Sequence, residues 1–211
     1  MFDRLNTGGA ARGFTLIELM IAVVVLGVLL AIAVPNMGAW MVSTKARSAS
    51  EFYLEGFSMA RRQAVTHNAA SRIVLSPNTG NGQFDWQVDL CFPRPGTPCN
   101  DISGSWSSTA TQAGNDPEGT AGFTSVFRSA TSLPPSETLA ASVLPAGATA
   151  VYYTPLGWVD TSVTRLTQLR FDPSARYAHD VPVAAVAVSL AGMASRCDPT
   201  KAAGDSRACP P

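Results

Sequence analysis

The longest apolar run of the chain lies between Phe14 and Val34 and contains a single charge, Glu18. The run is rich in Ala and Leu, which favour a helix, and about 20 such residues cross the hydrocarbon core of a bilayer. We therefore predict a transmembrane helix over 14–34. A carboxylate inside such a segment costs about 2.5–3.5 kcal/mol on insertion scales, so Glu18 is expected to have a function and a partner.

The helical pattern continues over 35–68, which we predict to be the amphipathic half of the same helix. Pro35 removes one backbone donor and is expected to kink the helix rather than end it. Apolar and small residues then recur at three- and four-residue steps. They form a stripe of Val42, Ala46, Ala49, Tyr53, Gly56 and Ala60. Gly56 weakens a helix by about 1 kcal/mol relative to Ala, which suggests close packing there. The helix is predicted to end near Asn68.

After the helix the hydrophobic period changes to two, which predicts strands. Runs 71–75 and 83–91 flank the turn-forming segment 76–82, so together they predict a hairpin packed on the helix. In the second run Phe84, Trp86, Val88 and Leu90 are expected on one face, and Gln83, Asp85, Gln87 and Asp89 on the other. Further strands are predicted at 123–128, 148–153, 166–172 and 181–190, the last of them central and buried.

This order of elements predicts an α+β fold, in which a long N-terminal helix packs on an antiparallel sheet. Residues 69–211 are expected to form one β-rich globular domain. Residues 92–122 form a long insertion rich in Pro, Gly, Ser and Thr, which is expected to be functional or mobile. Residues 192–211 form a polar tail.

The charge composition is balanced, with 15 basic and 15 acidic residues. Such balance gives no general attraction toward nucleic acid or anionic lipid. The charged fraction is 14%, against about 25% in a typical soluble domain. A low charge suits an exported protein that packs against copies or relatives of itself.

The four cysteines, Cys91, Cys99, Cys197 and Cys209, predict two disulfides in a domain sent outward across the membrane. Three pairings exist. We favour Cys91–Cys99 and Cys197–Cys209, because each pair closes a short loop rich in Pro and Gly. No CxxC spacing supports a zinc site instead.

No catalytic constellation stands out, and we interpret the chain as a non-enzyme without cofactor or metal. The histidines, His67 and His179, are better explained by structural or solvated positions. Segment 104–108 lacks the second glycine of a nucleophile elbow. The oxygen-bearing residues Asn115, Asp116 and Glu118 offer calcium ligands, but an acidic turn explains them more simply.

A short polar segment, MFDRLNTGGAARG, precedes the apolar run directly and has no apolar region of its own, unlike a secretory signal peptide. The sequence Gly13-Phe14-Thr15-Leu16-Ile17-Glu18, followed by the apolar run, closely resembles a type IV prepilin leader. The resemblance implies that residues 1–13 are a leader peptide, cut between Gly13 and Phe14 by a prepilin peptidase. It also implies that Phe14 is N-methylated, and that Glu18 is the assembly residue, pairing with the terminal amine of a neighbouring subunit.

The later segments are similar to the H-type branch of the pilin family, which includes the FimT/FimU minor pilins and the type II secretion pseudopilin H. The similarity rests on Leu54-x-x-Phe57-x-x-Ala60-Arg61-x-x-Ala64 and on the ending with Cys197 and Cys209. Some members carry a Gly-Arg-x-Arg motif for DNA in this tail. Here the tail reads Gly192-Met193-Ala194-Ser195, without the first arginine. Arg196, Lys201 and Arg207 remain candidate DNA contacts.

The resemblance implies a minor pilin or pseudopilin, a structural subunit of the initiating or tip complex of a type IV pilus. The alternatives are the type II secretion pseudopilin H and a DNA-binding minor pilin for natural transformation. The expected partners are other major and minor pilins or pseudopilins, the prepilin peptidase and the inner membrane. Because basic leader residues favour the cytoplasmic side, the C-terminal domain is expected in the periplasm.

Overall fold

A computed structural model of the protein describes residues 13–210, apart from the side chains of residue 32 and residues 34–36. The elements are helix α1 (Leu16–His67) and strands β1 (Ala70–Pro77), β2 (Phe84–Cys91), β3 (Val126–Arg128), β4 (Leu139–Leu144), β5 (Ala150–Tyr153), β6 (Gln168–Pro173), β7 (Ala184–Val188) and β8 (Ala194–Cys197), with a 3₁₀ turn at Gly119–Ala121. The chain divides into two compact units, Met1–Gly38 and Ala39–Pro211. The predicted leader lies outside the described residues, except for Gly13.

Helix α1 ends where the sequence predicts. Asn68 has φ 48°, in the left-handed region, and the Ala69 N–H donates to the Ala64 carbonyl at 3.1 Å. This is the Schellman arrangement that closes many helices. The helix continues through Pro35; the kink expected there stays a prediction.

In the first unit, every large apolar side chain from Phe14 to Leu30 is at least 52% exposed. Across the described part of the chain, no helix combines the length and the apolar character that a bilayer crossing needs. The transmembrane helix predicted over 14–34 is therefore not confirmed.

In the second unit, the predicted stripe of α1 packs on the first of two sheets. That sheet has the order β3-β2-β1-β5, all antiparallel. The hairpin of β1 and β2 is confirmed, with Ala70 opposite Cys91 and Pro77 opposite Phe84. Tyr53, Phe57, Ile73 and Trp86 are fully buried between helix and sheet. The predicted fold class is confirmed.

The second sheet has the order β4-β6-β7-β8 and makes the architecture richer than the single sheet expected from the sequence. Strand β7 is central and buried as predicted, but shorter, at Ala184–Val188. It begins late because the Val181 N–H is used in a turn to the Tyr177 carbonyl, and because Pro182 has no N–H to donate. Strands β4 and β8 lie in segments that the sequence pattern leaves without a strand.

Gly56 lies at a close approach of α1 to the first sheet. A Cβ at this position would lie 2.7 Å from Ile73 Cδ1 and 3.0 Å from Trp86 Cδ2. The close packing predicted at Gly56 is therefore confirmed, because the Trp86 ring lies against the helix backbone there.

The 92–122 insertion covers the outer face of β2. Asp89 was expected on the open face of the hairpin, yet it is 1% exposed, with Oδ2 accepting from Arg72 Nε at 2.8 Å. The Arg72 guanidinium lies 4.4 Å from the Trp106 ring centroid, and the Ser107 N–H donates to the Leu90 carbonyl at 2.8 Å. The insertion thus buries polar positions that alternation alone assigns to solvent.

The structure has two disulfides, Cys91–Cys99 and Cys197–Cys209, with Cα–Cα distances of 5.9 and 4.8 Å. This is the local pairing favoured from the sequence. The first ties the start of the insertion to the end of β2, and the second closes the tail onto the end of β8. Each loop is short, so each bond stabilises by about 2–3 kcal/mol in the chain-entropy model.

Candidate assembly site

The start of α1 places the predicted cleavage site and the assembly carboxylate close together in the chain. Gly13, Phe14 and Thr15 precede the helix in non-helical backbone. Phe14 is 86% exposed, and nothing lies within 4 Å of a Cβ built on Gly13. The bond between Gly13 and Phe14, the predicted cleavage site, therefore lies in exposed, non-helical backbone.

Thr15 caps the helix. Its Oγ1 accepts from the Glu18 backbone N–H at 3.3 Å, and its carbonyl accepts from the Leu19 N–H at 3.1 Å. The Thr-x-x-Glu spacing is that of a capping box, and a carboxylate in the first turn also suits the helix dipole. Local physics thus fixes where Glu18 sits, one turn after the predicted new N-terminus.

The Glu18 side chain is exposed. Within residues 13–210, its carboxylate has neither a hydrogen bond nor a salt bridge to a side chain. It is the one charge between Phe14 and Val34, and the large apolar side chains from Phe14 to Leu30 are all exposed. Because no described residue pairs with it, this carboxylate is suited to receive a cation from outside residues 13–210.

The three candidate DNA contacts in the tail lie among carboxylates. Arg196, on β8, forms an ion pair with Glu51 of α1, and Arg207 pairs with Asp205 at 3.3 Å. Lys201 is exposed; it has no ion pair among the residues that the structure describes. The tail therefore offers phosphate little uncompensated positive charge.

Titration in the tail follows these contacts. The Arg207 guanidinium lowers the pKa of Asp205 by donating to its carboxylate, and the same bond raises the pKa of Arg207. The Thr200 hydroxyl and N–H lower the pKa of Asp198. Both tail carboxylates therefore remain ionised at neutral pH and offset the nearby basic residues.

The residues considered for calcium serve a turn. Asp116 Oδ1 accepts from the Glu118 N–H and Oδ2 from the Phe123 N–H, both at 3.0 Å. The His67 ring, also considered as a ligand, packs against the Phe123 ring, with 5.6 Å between the ring centroids. In the described range, no group of three or more metal-ligating side chains is placed to hold an ion.

Sequence reasoning does not single out two neighbouring turns, 154–158 and 189–193, which carry exposed apolar side chains. The sequence offers only a weak signal for these turns, a glycine beside a large apolar residue. Gly157 and Gly192 each stand next to a large apolar residue, and both have positive φ, 77° and 78°. Exposure at these positions depends on how the turns pack, which no local pattern encodes.

Comparison with known proteins agrees with this architecture. Residues 9–34 match the family model of the prokaryotic N-terminal methylation motif. Residues 53–192, about two thirds of the chain, match the family model of type II transport protein GspH. The fold is pilin-like, and the N-terminal segment carries the methylation motif. The chain belongs to the GspH family.

A curated relative is the type IV major pilin protein PilA of Myxococcus xanthus (strain DK1622). It is 32% identical over 106 residues, covering 42% of this chain and 47% of the relative. The chain thus spans about half the length of the curated relative it matches. No solved structure is significantly similar to the chain.

Proposed function

We propose that the protein is a minor pilin or pseudopilin, a structural subunit of the initiating or tip complex of a type IV pilus. One observation carries the proposal: a capped helix start presents Glu18, the only charge from Phe14 to Val34, beside large apolar side chains that are at least 52% exposed from Phe14 to Leu30. An apolar surface this continuous requires lipid or other subunits around it. The match of residues 53–192 to GspH supports the same class of protein.

In the proposed mechanism, a prepilin peptidase releases Phe14, which is then N-methylated. The helix is held in the inner membrane with the β-rich domain in the periplasm, until assembly draws it among the helices of other subunits. There Glu18 receives the terminal ammonium of a neighbour. A carboxylate left unpaired in apolar surroundings is costly, so the ion pair favours correct placement over other arrangements.

The second candidate function is the type II secretion pseudopilin H, favoured by the GspH match itself. Both candidates use the same N-terminal chemistry and differ in the filament that receives the subunit. A DNA-binding role for transformation is less favoured, because Arg196 and Arg207 are already engaged by Glu51 and Asp205.

Deletion of the gene from its host distinguishes a subunit of the pilus from a subunit of the secretion system. We expect fewer surface pili, counted by electron microscopy, with secretion of exoproteins unchanged. Complementation by the intact chain should restore piliation. Normal pili together with exoproteins retained in the periplasm would instead assign the chain to the secretion system. Normal results in both assays would reject the proposal.

A further inference from the structure

The globular unit presents large apolar side chains on the two turns 154–158 and 189–193. Leu156 is 76% exposed, Trp158 63%, Leu190 58% and Met193 63%, and Val65 of α1 beside them is 52% exposed. We call these five residues the twin-turn patch. Single exposed apolar residues are ordinary, but a cluster of this kind marks an interaction surface.

Hydrogen bonds hold both turns in fixed positions. The Thr154 N–H donates to the Trp158 carbonyl at 2.8 Å, and the Ser189 N–H to the Met193 carbonyl at 2.9 Å. The Val159 N–H joins the two turns by donating to the Leu190 carbonyl at 3.1 Å. A surface that is already ordered loses little entropy when a partner binds.

The turns are also pressed against each other and against α1. Arg61 Nε donates to the Gly157 carbonyl at 3.1 Å, and a Cβ on Gly157 would lie 2.8 Å from Val65 Cγ2. A Cβ on Gly192 would overlap the Gly157 carbonyl oxygen. Glycine is therefore required at both tips for the packing that exposes the apolar neighbours.

Three arginines lie beside the patch, in two depressions. Arg61 and Arg62 line one depression together with Met193, and Arg165 lines another together with Leu190. None of the three arginines forms an ion pair with a described residue. No described carboxylate lines either depression.

This combination selects the chemistry of the partner. Trp, Met and Leu beside arginines form the kind of centre and rim found at protein interfaces. A second copy of the patch would bring arginines against arginines, which disfavours self-association through this surface. Nucleic acid would use stacking aromatic residues, whereas three of the four exposed turn residues are aliphatic.

We propose that the twin-turn patch docks an apolar segment, flanked by carboxylates, of a neighbouring subunit in the filament. The apolar part covers Trp158 and Met193, and the carboxylates meet Arg61, Arg62 and Arg165. The identity of the partner as a filament subunit rests on the proposed function, while the binding chemistry rests on the patch alone.

Two synthetic peptides with one apolar core, Leu-Val-Phe-Leu, test the proposal. One is flanked on both sides by Asp-Glu and the other by Lys-Lys. The full chain, held in nanodiscs of zwitterionic lipid and labelled with 5-fluorotryptophan, gives a ¹⁹F resonance for each of its four tryptophans. Trp158→Phe assigns the resonance of Trp158. We expect the acidic peptide to shift this resonance saturably, and the basic peptide to bind about tenfold more weakly or worse.

The double variant Leu156→Ser/Met193→Ser should bind the acidic peptide about tenfold more weakly or worse. The matched control is Ile102→Ser, which removes an apolar side chain that is 89% exposed outside the patch; it should leave binding unchanged. Unaltered resonances of buried Trp86 show that each variant is folded.

Equal affinity for both peptides, no binding, or undiminished binding by the double variant would overturn the proposal. A shift of the Trp158 resonance caused by raising the protein concentration alone would identify a second copy as the partner instead. Tighter binding of an oligonucleotide than of the acidic peptide would identify nucleic acid as the partner. Peptide binding does not involve Glu18 or the leader. Peptide binding can therefore fail while the filament function holds, and the filament function can fail while the peptide binds.

Discussion

Replacing Glu18 by glutamine is expected to reduce incorporation of the subunit into filaments about tenfold or more. Breaking a buried ion pair by removing one partner costs about 3–5 kcal/mol, because the remaining charge stays unpaired. The substitution keeps the side-chain shape and the hydrogen bond from the backbone N–H of residue 18 to Thr15 Oγ1. Any loss of incorporation is therefore due to the loss of the charge. The readout is crosslinking between the helix start of this subunit and that of its neighbour, together with pilus counts.

Glu18→Gln should leave the protein cleaved and membrane-bound, with the melting temperature of the globular unit unchanged, because the exposed Glu18 belongs to the first unit. The matched control is Glu55→Gln, which neutralises an exposed carboxylate of α1 in the second unit and should leave the crosslinks intact. If crosslinking and piliation both survive Glu18→Gln, the pairing argument fails for this chain.

Replacing Trp86 by alanine should cost about 3–5 kcal/mol of unfolding free energy, the range of aromatic deletions in cores. Trp86 is fully buried, packs over Gly56, and donates from Nε1 to the Phe52 carbonyl at 3.0 Å. Its removal leaves a cavity at the helix–sheet contact and takes from the Phe52 carbonyl the hydrogen bond that Trp86 adds to the helical one. Urea unfolding of the full chain in nanodiscs, followed by circular dichroism, measures the loss.

Trp158→Ala serves as the control for this deletion, since it removes the same ring from a position that is 63% exposed. A surface substitution of this kind should change the free energy of unfolding by about 0.5 kcal/mol or less. A Trp86→Ala loss below about 1 kcal/mol, or equal losses for both variants, would contradict the assignment of Trp86 to the core.

The parts of the fold that the sequence predicts are those encoded by a local period. The stripe from Val42 to Ala60 is buried as predicted, and the alternation in β2 correctly identifies Trp86, Val88 and Leu90 as buried. Phe84 is half-buried. The helix was predicted from Phe14 and begins at Leu16, because the Thr15 hydroxyl caps the first turn by accepting from the Glu18 N–H.

The parts that escaped prediction depend on distant neighbours. Strand β4 consists mainly of small and aliphatic residues whose strand conformation is set by pairing with β6. Strand β8 lies in a polar tail and is held by β7. The burial of Asp89 depends on Arg72 and on the insertion above it. The twin-turn patch likewise exists because two turns far apart in sequence lock together.

The most direct test of the assembly account is the mass of the N-terminal peptide of the mature protein, purified from its host membranes or filaments. The account predicts a chain that begins at Phe14, with one methyl group on its amine and no residue of the segment 1–13. That product would place a methylated ammonium four residues before Glu18, as the pairing between subunits requires. An intact segment 1–13, or a first residue beyond Val34, would remove the assembly helix from the mature chain or block its terminus, and would contradict the account.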